Sequence, residues 1–233
     1  MTGPLAGRDA AADFEAMGQR WLGLGHLASP FWFCGLEPGG KERPEWPSIW
    51  ATRYGGAEVI DGRGEAGDPD HAQWFGPDAG LQTTWQGLIR TRLAFEGRPA
   101  DDEAVLRHQR EAFIRGDGDE AVLELSAYAA RGLRVEVPRE KYMRERIARI
   151  KILLGEHKPT FLVCYGRSRR REFAKLCGGA FDADDFRWSG TTLCALTIHP
   201  TPRFQPAPKP EHWDSLGSEL RRRIDGSRAE RKA

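Results

Sequence analysis

Four short runs constrain what this chain can fold into: residues 31–36, 121–125, 160–165 and 191–198. Each is largely apolar and rich in aromatic, β-branched or Leu residues, and three of the four end beside a Gly or Pro. A strand with one wet face alternates apolar and polar residues, whereas a continuous apolar run belongs in a sheet buried on both faces. Between the runs the apolar period switches to that of a helix. Phe14, Met17, Trp21 and Leu22 mark one helix over residues 9–24, closed by Gly23 and Gly25. Trp85, Leu88, Ile89 and Leu93 mark a second, capped by Thr83 or Thr84 and running to about Phe95. An acidic helix is predicted over 102–114, and a basic one from Pro138 through about Gly155. Two more are predicted over 167–177 and 213–224. Strands alternating with helices predict an α/β fold: three layers, α/β/α, around a central, mostly parallel four-stranded sheet.

The 233 residues suit one domain over residues 9–225, with a disordered N-terminus (1–8) and a flexible C-terminal tail (226–233). Residues 37–80 carry little periodicity and many Gly, Pro and Trp residues, and a loop of that length in a compact domain is usually functional. No apolar run approaches the ~20 residues that cross a bilayer, and the first residues lack the apolar core of a signal peptide. A cytoplasmic monomer with no membrane partner is the expectation. Cys34, Cys164, Cys177 and Cys194 form no CxxC pair. They read as buried free thiols, with no metal and no cofactor expected.

Charge is uneven although the total is +1. Residues 101–124 hold eight acidic and three basic side chains, a net of −5, and residues 131–175 hold fourteen basic and five acidic, a net of +9. The basic stretch suggests an anionic partner, nucleic acid above all, or else a solvated helix face. Within it, Gly166-Arg167-Ser168-Arg169-Arg170-Arg171 puts four arginines at a helix N-terminus, where acidic residues are preferred. Backbone N–H groups there, with Gly166, Arg167, Ser168 and Arg169, suit a DNA phosphate.

In parallel α/β sheets ligands bind at the carboxyl ends of the strands. Three of the four runs end in chemically useful residues: Glu37, the turn at 166–171, and His199. The turn Gly35-Leu36-Glu37-Pro38-Gly39 and the segment His199-Pro200-Thr201-Pro202-Arg203-Phe204 resemble the two signature motifs of the uracil-DNA glycosylase superfamily. Members of that family carry Gly-x-(Asp/Asn/Glu/Ala)-Pro-(Gly/Tyr) after the first strand and a His-Pro-Ser-type loop after the last. The segment 161–166 also resembles the family's third strand, so the likeness spans roughly residues 30–224, although 40–120 match no recognised pattern. Glu37 stands where strongly active branches have Asp or Asn, and Thr201 stands where Ser is commoner. The clustered cysteines of the iron–sulfur branches are missing.

The resemblance implies a DNA glycosylase that flips a nucleotide out of the duplex and hydrolyses its N-glycosidic bond. Glu37 would orient a water or stabilise the cationic sugar, and His199 would donate a hydrogen bond to the departing base. Gly35, Leu36, Pro38, Trp46, Trp50, Ser126 and Tyr128 would line the substrate pocket. Trp46, Trp50, Trp74, Phe75 and Tyr128 are candidates for its stacking platform. Thr201, Arg203 and Phe204 would contact DNA beside the arginine turn, with Arg203 or Phe204 as the wedge. The family's base-reading Asn is missing after the second strand, where Glu124, Ser126 and Tyr128 lie instead. This implies a substrate range from uracil to modified pyrimidines, including bulky phage bases such as glucosylated hydroxymethylcytosine. Two alternatives remain open: a glycosylase-like DNA-binding module without catalysis, and an unrelated α/β hydrolase or transferase using Cys164 or Ser168. The second lacks a Gly-x-Ser-x-Gly elbow.

Overall fold

The computed structural model describes residues 9–38, 45–63, 73–128, 140–201 and 207–231. Four apolar strands form its centre: β2 (Phe31–Gly35), β4 (Glu120–Glu124), β5 (Phe161–Tyr165) and β7 (Thr192–Thr197). They are mutually parallel in the spatial order β4-β2-β5-β7. Every residue of the four is buried. The pleat explains the unbroken apolar composition. Trp32, Cys34, Leu162, Cys164, Cys194 and Leu196 enter one core, while Phe31, Phe33, Phe161, Val163, Leu193 and Ala195 enter the other. Removing each such side chain from water stabilises the fold by about 1.5–3 kcal/mol.

The sheet is wider than the sequence predicts. It has seven strands and is mixed, because β1 (Gly23–Gly25), β3 (Val59–Ile60) and β6 (Phe186–Ser189) extend its edges. β1 runs antiparallel to β4 and parallel to β3, and β6 runs antiparallel to β7. The glycines expected to close the first helix build β1 instead. Gly23 and Gly25 have φ of +157° and +103°, and a Cβ on them would lie 2.0 and 2.2 Å from the carbonyl oxygens of Val122 and Glu120. Only glycine permits that approach, so a stop signal in the sequence serves as an edge strand in the fold.

Helices cover both faces. α1 (Ala10–Arg20), capped by Asp9, packs with α2 (Trp46–Arg53) beside the end of β4. The second face is covered by α3 (Thr83–Glu96), α4 (Asp102–Glu111) and α7 (Pro210–Glu230). The first face carries α5 (Met143–His157) and α6 (Arg170–Leu176). Gln82, rather than Thr83 or Thr84, caps α3 by accepting the Trp85 N–H at 2.6 Å. α7 starts at Pro210 and continues past Gly226 to Glu230, so much of the expected tail is helical. α2 and β3 occupy part of the segment expected to be loop, while its residues 39–44 and 64–72, like residues 1–8 and Pro138, lie outside the described residues. All four cysteines are free and buried. Among the described residues no His, Cys, Asp and Glu group could hold a metal ion, and no helix is long and apolar enough to cross a membrane.

Candidate functional site

The four parallel strands leave their carboxyl ends on one edge of the sheet. From β2 the chain crosses to β4 on one side, and the next two parallel strands lie on the other. The switch point therefore falls between β2 and β5, where an open α/β sheet forms its binding crevice. Glu37 follows β2 by two residues, Glu124 ends β4, Tyr165 ends β5, and His199 follows β7 by two residues.

Tyr165 joins these ends. Its ring occupies the space that a side chain on Gly35 would need, since a Cβ there would lie 2.5 Å from the ring and hydroxyl. Its hydroxyl donates to Glu124 Oε1 at 3.0 Å. Its ring meets that of His199 edge-on, with centroids 5.5 Å apart. Burial pushes the Tyr165 hydroxyl well above its ordinary pKa, so it remains a donor.

Glu124 is the most perturbed carboxyl at this edge. It is only 6% exposed, and its Oε2 is buried with no hydrogen-bond partner. Burial pushes its pKa up to about 8; the Tyr165 hydrogen bond and the charge of Arg146 oppose the rise, and Glu37 adds to it. Glu124 is therefore largely a neutral acid at pH 7. Arg146 is itself 1% exposed and donates to the carbonyls of Leu125, Glu124, Gly18 and Trp21. It ties the end of β4 to the end of α1.

His199 is set up as a neutral donor. The Thr201 backbone N–H donates to its Nδ1 at 3.0 Å, and the Thr201 hydroxyl lies 3.2 Å from the same atom. A backbone N–H can only donate, so Nδ1 is the acceptor and the ring proton sits on Nε2. Burial lowers the His199 pKa, which favours the same neutral form. Thr201 Oγ1 also lies 3.4 Å from the hydroxyl of Thr84 on α3. Beside it, Thr197 Oγ1 is 2.8 Å from His212 Nε2, which fastens the first turn of α7 to the end of β7.

Comparison of the chain with protein-family models and with curated proteins gives no match. The site therefore rests on its own geometry.

The remaining expected residues divide. Gly35, Leu36 and Pro38 stay with Glu37, and the Leu36 carbonyl accepts the Ser126 N–H at 2.7 Å. Ser126 is 1% exposed, and its Oγ accepts the Tyr128 N–H at 3.3 Å. Tyr128 and Trp50 are not free stacking surfaces. Tyr128 stacks on Phe14 with centroids 4.4 Å apart and donates to the Phe14 carbonyl, while Trp50 is 1% exposed and donates to the Ala57 carbonyl. Both belong to the core that holds α1 and α2. Trp46 is half-buried beside Tyr54, and Trp74 and Phe75 pack around Trp85. Arg203 and Phe204 lie outside the described residues.

The arginine turn is largely satisfied from within the fold. Arg167 and Arg170 both bind Asp185, and Arg169 binds Glu140 and Glu172, so the local charge that suggested an outside anion has internal partners. Gly166 has φ of +111°, and its N–H already donates to the Thr197 carbonyl at 2.9 Å. Ser168 is exposed. Sequence reasoning missed Tyr165 and His212 as members of this edge. Tyr165 looked like one more apolar strand residue, and its only signal was its position immediately before Gly166.

Proposed function

We propose that this chain is a DNA glycosylase that excises uracil or a modified pyrimidine by hydrolysing the N-glycosidic bond. The observation that carries the reading is the placement of a carboxyl side chain and an oriented neutral imidazole beyond the carboxyl ends of the four parallel strands. Glu37 leaves β2 on one side of the switch point, and His199 leaves β7 on the other, with its Nδ1 occupied by Thr201 and its Nε2–H available. Cleavage of the bond develops positive charge on the sugar and negative charge on the departing base. Glu37 supplies negative charge for the first and can orient the attacking water, and the Nε2–H of His199 supplies a hydrogen bond for the second. Neutral imidazole serves because a donor, not a proton transfer, is required at the base.

The motif resemblance supplies the substrate class. Glu124 lies buried behind the site, where its largely neutral carboxyl adds little charge. A pocket backed by a neutral carboxyl does not repel an anionic leaving base. DNA contact is assigned to the exposed face around Arg167, Ser168 and Arg171, whose arginines would exchange internal partners for phosphates.

The test is incubation of the protein with duplex and single-stranded DNA carrying uracil, 5-hydroxymethylcytosine or its glucosylated form. Alkali cleavage reports abasic sites, and mass spectrometry reports the free base. The reading requires release of at least one base, and loss of about 100-fold or more of that rate in Glu37→Ala and in His199→Ala. DNA binding with no release from any substrate would replace it with the non-catalytic binding module.

A further inference from the structure

Glu124 is a buried carboxyl at the end of β4, close enough to Glu37 on the turn beyond β2 to feel its charge. Among the described residues, the titratable groups that act on it are Cys34 on β2, Glu37 on the turn beyond β2, Tyr165 on β5 and Arg146 on α5. Arg146 is the cation among them, yet its guanidinium hydrogen-bonds four backbone carbonyls instead of the carboxylate. Cys34 is buried, and burial followed by the proximity of Glu124 pushes its thiol pKa up, so it contributes no charge. The Tyr165 hydroxyl donates a hydrogen bond to the Glu124 carboxyl at 3.0 Å. The same tyrosine fills the space above Gly35 and meets the His199 ring.

We propose that Tyr165 and Glu124 form a buried positioning pair behind the Glu37–His199 site. Tyr165 holds the Glu124 carboxyl by its hydroxyl and the His199 imidazole by its ring edge at once, so that one side chain sets the positions of both. Neither residue touches the reacting atoms. The inference rests on the glycosylase reading for its effect on catalysis, but the protonation of Glu124 can be read without catalysis.

Two measurements on the full chain separate these levels. The first is the thermal midpoint of wild type, Glu124→Gln and Tyr165→Phe from pH 5 to pH 9. The folded state holds the Glu124 proton up to about pH 8, whereas the unfolded chain releases it near the ordinary carboxyl value of 4.5. A raised carboxyl pKa makes folding weaken as pH rises through this window. Glu124→Gln keeps an acceptor for Tyr165 and cannot ionise, so its midpoint relative to wild type should rise steadily from pH 5 to pH 8.5. A constant offset across that range would overturn the pair. The second measurement is the pH profile of base release. Wild type should lose activity as Glu124 ionises, and Glu124→Gln should keep activity within a few-fold at pH 7 while lacking that alkaline loss. Tyr165→Phe removes a hydrogen bond that favours the ionised form, so its alkaline limb should move to higher pH. Profiles of unchanged shape in both variants would overturn the positioning role. If wild type releases no base at all, the glycosylase reading fails while the midpoint series still decides the protonation of Glu124.

Discussion

At the scale of single residues, the site depends on one missing side chain. Gly35 is the last residue of β2, and the Tyr165 ring sits where its Cβ would be. Gly35→Ala forces that ring aside, and with it the Glu124 hydrogen bond and the His199 contact. Overpacking of this kind costs about 1–3 kcal/mol, which thermal or urea denaturation measures as a lowered midpoint. Base release should fall by more than the loss of folded protein explains. Thr201 offers a gentler probe, since its backbone N–H, not its hydroxyl, makes the shorter contact to His199. Thr201→Ala should therefore keep the tautomer and lower activity only a few-fold, while His199→Ala removes the donor entirely. The tetrad of Gly35, Glu124, Tyr165 and His199 was half legible beforehand. Gly35 and His199 stand in motifs. Glu124 stands out as an acid in an apolar run, but nothing local in the sequence shows that burial keeps it neutral.

At the scale of elements, the four buried strands were legible because each fills both cores and admits few polar residues. The edge strands were not. β1 is three residues built on two glycines, β3 is two residues, and β6 carries an exposed Trp188 between half-buried neighbours. Their pairing with the inner strands decides their state, and no local period announces it. The same holds for Arg146, which reads as part of a solvated basic helix yet lies buried, holding four carbonyls at the junction of α1, β4 and α5. Arg146→Met would leave those acceptors without their donor, and the loss should be about 3 kcal/mol or more in chemical denaturation. Helix α7 makes a comparable demand against α3. A Cβ on Gly217 would lie 2.3 Å from the Thr91 carbonyl oxygen, so Gly217→Ala should also lower the midpoint while leaving the carboxyl-edge residues unaltered.

At the scale of the molecule, charge segregates along the sequence but largely cancels in space. Acidic residues of the 101–124 stretch meet arginines of α3, as in Asp102 with Arg90 and Asp119 and Glu120 with Arg92. Basic residues of the 131–175 stretch meet Glu15, Glu58, Glu140 and Asp185. A basic stretch in the chain is therefore a weaker sign of nucleic acid than it looks, because folding supplies its partners. The DNA face at the 166–171 turn can be separated from the chemistry. Arg167→Ala and Arg171→Ala should each weaken DNA binding across all sequences and reduce its salt dependence by about one counterion, as titrations from 50 to 200 mM salt would measure. They should leave single-turnover release at saturating protein near the wild-type rate.

The central claim is that Glu37 and His199 together cleave a glycosidic bond. The most direct measurement is single-turnover release of free base, followed by mass spectrometry, from DNA carrying uracil or hydroxymethylated and glucosylated cytosine. Wild type is predicted to release at least one of these bases and leave an alkali-labile site, with Glu37→Ala and His199→Ala slower by about 100-fold or more. Release that survives both substitutions, or DNA binding with no release from any substrate, would contradict it.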